Sequence, residues 1–145
     1  MSPAERQLAA IGCAICAAAS RIDGWSRPLA LLALAGLLLP QVTATSAAAL
    51  AASVLLGLLQ GYWGLRLAFD RPLFAHWAVA ADEDATSALA TFDAALTGLG
   101  WPVADPGRPL AQRVAATRRL LRRQGLACAA QWLAATIALL LLLSR

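Results

Sequence analysis

Residues 45–64, TSAAALAASVLLGLLQGYWG, contain no charged side chain and carry a small residue at every fourth position: Thr45, Ala49, Ser53, Gly57 and Gly61. On an α-helix, side chains four apart stack on the same face, so these five are expected to form a nearly straight stripe among Leu, Ala and Val. About 20 apolar residues suffice to cross the hydrocarbon of a bilayer. The stretch therefore predicts a transmembrane helix with a flat seam. Gly57 and Gly61 supply the small-xxx-small spacing at which a second helix backbone approaches closely in lipid, where packing drives association because apolar burial no longer does. The expected occupant is another integral membrane protein or a second copy of this chain.

Composition sets the class around that helix. The chain of 145 residues is 60% hydrophobic and 14% charged, with a mean hydropathy of +0.65, too apolar for an ordinary soluble domain. All 12 basic residues are arginine and alanine is abundant, a usage that fits a GC-rich bacterial genome and places the chain in a bacterial inner membrane.

Upstream, the uncharged run begins after Arg27 and lasts to Leu65, too long for one helix. Pro40, Gln41, Thr43, Thr45 and Ser46 favour turns and helix starts. They divide the run into a first span over about 24–39 and a second over about 45–69, joined by a tight hairpin; a Pro40 kink in one tilted helix is the alternative. Residues 1–23 read as a cytoplasmic or interfacial helix ending in the polar patch Arg21–Arg27. Arg6 and the apolar run Leu8–Ser20 also outline a short signal peptide, and a part of the first span is a third possibility.

Downstream, residues 66–124 hold eight of the twelve arginines and six of the eight acids. Arginines near membrane ends stay on the cytoplasmic side, so the N-terminus and residues 70–124 are expected in the cytoplasm and the C-terminus in the periplasm. Asp70 is positioned to cap a helix with Pro72 in its first turn. The acids Asp82, Glu83 and Asp84 open an amphipathic helix with Ala85, Ala88, Leu89, Phe92, Ala95, Leu96 and Leu99 on one side and Thr86, Asp93 and Thr97 on the other. Glycines and prolines over 100–109 predict a turn. Leu110, Val114, Thr117 and Leu121 then form an apolar stripe opposite Arg113, Arg118, Arg119, Arg122 and Arg123. The fold class is thus an all-α integral membrane protein of three transmembrane helices, with a cytoplasmic helical hairpin over 70–124 between the second and the third. The third span occupies 125–145, its basic arm able to run straight into it.

That last span has its own four-spaced row, Ala130, Ala134 and Ala138. Gln131 lies eight residues beyond Arg123 and Gln60 six before Arg66, so the two amides are predicted at one depth and hydrogen-bonded. Such a pair fixes register more than it stabilises, at about 1 kcal/mol.

Chemistry is sparse. Cys13 and Cys16 form a CxxC, but a zinc site takes four ligands and only Cys128 and His76 remain, on distant segments. His76 with Asp82, Glu83 and Asp84 is the one place where a base and acids fall close together, without a nucleophile motif. No metal or other cofactor is expected. The arginines 113, 118, 119, 122 and 123 point to anionic lipid headgroups or an acidic partner rather than nucleic acid, because the row abuts a span. No ionisable residue lies inside a proposed span, which argues against a self-contained ion-coupled pump. The expected function is a non-catalytic accessory or assembly subunit of an inner-membrane complex. A component of a transporter or lipid-handling assembly is the alternative, and a small membrane enzyme built on His76 a third.

Overall fold

The structure, a computed structural model, describes residues 1–40, 42–80, 84–100 and 107–144. Four helices follow one another: α1 (Pro3–Leu37), α2 (Ala44–Val79), α3 (Ala85–Gly98) and α4 (Leu110–Leu143). Three of them, α1, α2 and α4, are long and apolar enough to cross a membrane, and they pack together as one bundle.

Each long helix buries a row whose steps alternate between three and four residues. In α1 it is Ala9, Gly12, Cys16, Ala19, Asp23, Ser26 and Ala33; in α2 it passes through Ser46, Leu50, Ser53, Gln60, Leu67, Phe74 and Trp77; in α4 it passes through Leu110, Val114, Thr117, Gln124, Ala127, Gln131 and Ala138. A mean step near 3.5 residues keeps one face turned to the same neighbours over many turns, as in coiled coils. This row explains why the helices ignore the local breaks expected of them. Instead of dividing at 23/24, α1 is one helix of 35 residues; an ion pair between Asp23 and Arg27 bridges the polar patch, and the buried row continues past Pro28 to Ala33. Similarly, α2 runs through Asp70 and Pro72 to Val79 rather than ending near Phe69. Burial of Leu67, Phe74 and Trp77 on a single continuous face outweighs the proline penalty of about 3 kcal/mol. The basic arm continues into the last span as α4, 34 residues long.

The α1–α2 connection is the tight hairpin that Pro40 and the following polar residues predict. Thr43 caps α2 reciprocally with Ser46: Ser46 N donates to Thr43 Oγ1 at 3.2 Å and Thr43 N to Ser46 Oγ at 3.0 Å, satisfying two otherwise orphaned donors. Ser2 and Glu5 do the same at the start of α1.

At about 1.5 Å per residue the long helices extend roughly 50 Å, well beyond the roughly 30 Å of bilayer hydrocarbon. The bundle accordingly has an apolar half, with Ala33, Leu50 and Ala138 at its centre, and a charged half. There the core is Ala9, Cys16, Ala19, Leu67, Phe74 and Trp77, with Leu110 and Val114 of α4 and Ala88 and Leu89 of α3. Gly12 matters to that core, since a Cβ on it would fall 2.8 Å from the Phe74 ring.

Candidate functional site

Where the two halves meet, the inward row of the bundle is polar. Gln131 is fully buried and its amide is used twice by α1: Ser26 Oγ donates to Gln131 Oε1 at 2.6 Å, and Gln131 Nε2 donates to the Ser26 carbonyl at 3.1 Å. Two turns away, Gln124 Nε2 donates to the Ala19 carbonyl at 3.1 Å. An ideal Cβ on Gly64 would lie 3.4 Å from Gln124 Nε2 and 3.5 Å from Asp23 Oδ1, so the Asp23 carboxylate and the Gln124 amide converge on the same glycine. Gln60, one turn from Gly64 on the same face of α2, is also fully buried. Among the described residues, Asp23 Oδ1, Gln124 Oε1, Ser53 Oγ and both polar atoms of Gln60 have no hydrogen-bond partner.

This arrangement corrects two expectations. Gln131 is paired with Ser26 and not with Gln60, because α1 also faces α4 and offers both a hydroxyl and a carbonyl at the right depth. Asp23 belongs to the bundle interior and not to a surface patch: its position continues the row Cys16, Ala19, Asp23, Ser26, a periodicity that was legible in the sequence once α1 is drawn as one helix. An ionisable group therefore stands in the bundle interior, where the apolar and charged halves meet.

The four-spaced seam of α2 is divided among different surroundings. Four residues advance a helix by about 40° more than a full turn, so the five positions spread over about 160° and do not stay in line. Thr45 is exposed, Ser53 is fully buried, and Ala49, Gly57 and Gly61 are half-buried. A Cβ on Gly57 would fall 2.8 Å from Ala30 Cβ and 2.9 Å from Gln131 Nε2, which makes Gly57 the point where α1 and α4 of the same chain close onto α2. At Gly61 the same construction meets nothing within 4 Å. In α4, likewise, Ala138 is buried while Ala134 is half-buried and Ala130 exposed.

In the charged half, α3 is capped by Asp84, whose carboxylate accepts from Ser87 N at 3.1 Å. Ala88 and Leu89 are buried as its amphipathic pattern predicts, but Asp93 is buried too, and Leu99 is exposed. Arg113 is the cause: its Nη2 donates to both Asp93 oxygens at 2.7 Å, and Gly107 N donates to Asp93 Oδ2 at 2.9 Å. The Arg113 guanidinium lies 5.9 Å from the centre of the Phe92 ring, which meets Trp77 edge-on at 5.9 Å. Arg113 thus clamps α3 to α4, while Arg118, Arg119, Arg122 and Arg123 are exposed. Three of these four, Arg118, Arg119 and Arg122, border a groove of about 440 Å³ floored by Ile11 and Ile15 of α1 and Val114 of α4. A second, almost wholly apolar groove of about 270 Å³ lies between Leu32 and Gly36 of α1 and Trp132 and Leu139 of α4.

Of the remaining candidates, Cys16 is buried and Cys13 half-buried, both as free thiols. His76 is exposed on α2 and Asp84 caps α3; Asp82 and Glu83 lie outside the described residues. Among the described residues, no three His, Cys, Asp or Glu side chains come together as a metal site would require. No protein-family model, curated protein or solved structure matches the chain.

Proposed function

We propose that this chain is a non-catalytic accessory or assembly subunit of a bacterial inner-membrane complex, docking a partner's transmembrane helix on the outer face of α2. The observation that carries the reading is the notch at Gly61, open beside its Cα and flanked by the exposed Leu58 and Leu65 three residues before and four after. Bulky side chains on either side of a bare backbone make a place where another helix can approach closely, the condition under which helices associate in lipid. The arginines of the charged half support an orientation with the N-terminus and residues 70–124 in the cytoplasm and the C-terminus in the periplasm. Gly61→Leu should abolish co-purification of the partner, or self-association, from membranes while leaving the bundle folded; undiminished co-purification refutes the proposal.

The convergence of Asp23 and Gln124 on Gly64, with the unsatisfied amide of Gln60 buried one turn away on α2, favours a second reading, a component of a transporter, since ionisable groups at such depth commonly line ion or proton paths. Proteoliposomes carrying the chain with its partner should then lose cation flux on Asp23→Asn, and equal flux counts against it.

A further inference from the structure

We infer that the groove between α1 and α4 in the charged half docks an acidic amphipathic helix of a partner protein, held by Arg118, Arg119 and Arg122 over a floor of Ile11, Ile15 and Val114. This rests on the reading of the chain as a docking subunit and names the partner's chemistry. The residues lining the groove include three arginines and no acid, so it selects for negative charge. Its floor is apolar and incompletely covered: Ile11 is 49% exposed. An occupant must therefore bring acids and apolar side chains together.

Depth decides between a lipid and a protein. The apolar run of α4 begins at Leu126, which puts Arg122 about 6 Å and Val114 about 18 Å outside it at 1.5 Å per residue. The headgroup layer is only about 5–8 Å thick on each side. A lipid phosphate reaches Arg122, but acyl chains anchored in the bilayer do not reach the floor around Val114 and Ile11. A helix lying along the groove reaches both.

The molecule already contains the same chemistry once. On another flank of the charged half, α3 puts Phe92 against Trp77 and under the Arg113 guanidinium, and pairs Asp93 with Arg113 at 2.7 Å. An amphipathic helix with a carboxylate next to an aromatic is thus what this bundle binds when an arginine borders an apolar surface. The α1–α4 groove offers three arginines on the same pattern.

The test uses the full chain in its native membrane with a photo-crosslinking p-benzoylphenylalanine in place of Ile11. The expected product is a protein adduct whose cross-linked peptide carries Asp or Glu beside apolar residues at helical spacing. Changing Arg118, Arg119 and Arg122 together to Gln should lower its yield about tenfold, the scale expected for the loss of three exposed ion pairs, and Lys at the three positions should restore most of it. Unchanged protected amides in hydrogen exchange across α1 and α4 verify that the Gln variant is folded. Adducts to phospholipid alone, or a protein adduct indifferent to the three arginines, overturn the inference. If a partner still co-purifies in a Gly61-dependent way without any groove adduct, the groove fails and the docking reading stands; if no protein travels with the chain, both fail.

Discussion

Placing a leucine at Gly57 or at Gly61 separates packing within the chain from docking outside it. A Cβ at Gly57 would sit 2.8 Å from Ala30 Cβ, whereas carbon atoms rest about 3.5–4.0 Å apart. Helix α1 must therefore retreat by about 1 Å, or α2 must shift away from both neighbours. The same Cβ comes within 2.9 Å of Gln131 Nε2, the atom that donates to the Ser26 carbonyl, so the Ser26–Gln131 pair is disturbed as well. Overpacking costs about 1–3 kcal/mol and the disturbed intramembrane hydrogen bonds about 1 kcal/mol more, offset by the helix propensity gained over glycine, about 0.8 kcal/mol. Gly57→Leu is expected to destabilise by about 1–3 kcal/mol in total. At Gly61 an added Cβ meets nothing within 4 Å, so Gly61→Leu should be neutral or up to about 1 kcal/mol more stable. Unfolding the purified protein with increasing SDS in mixed micelles, followed by tryptophan fluorescence, measures both. Equal losses at the two glycines, or none at Gly57, would refute the assignment of Gly57 to the bundle interior.

In the same titration Gln60→Leu should match or exceed the parent, since it removes a buried amide that has no protein partner, a group costing about 1–3 kcal/mol when unsatisfied. Gln131→Leu should lose about 1 kcal/mol by stranding Ser26; the reverse ranking would contradict the pairing described. Asp93→Asn leaves Arg113 half-buried against a neutral amide, and breaking such a pair costs about 3 kcal/mol, so hydrogen exchange over Ala85–Gly98 should accelerate at least about a hundredfold with little change in the apolar half. With single-cysteine variants, Cys16 should resist maleimide at neutral pH, being buried, and the half-buried Cys13 should react faster; comparable rates would mean that α1 is not packed as described.

The reach of the sequence is clear from particular residues. Uncharged runs long enough to cross a bilayer, the turn signal at Pro40 and the cap at Thr43 are local properties, and they determine three apolar helices and one hairpin without reference to anything distant. The amphipathic period around Leu89 and Phe92 determines α3 in the same way. What the chain does at Asp23, Pro72, Gln131 and Arg113 is not local. Whether a proline ends a helix depends on whether Leu67 and Phe74 find a common surface to bury against, and whether an arginine faces lipid or clamps a carboxylate depends on where Asp93 is brought from 20 residues away. The tertiary structure alone decided that Gly57 faces the chain's own helices and Gly61 faces outward. A spacing of four identifies small residues near one another on a helix, but the slow rotation of that row about the axis hands each one to a different neighbour, and only the packed bundle says which neighbour is there.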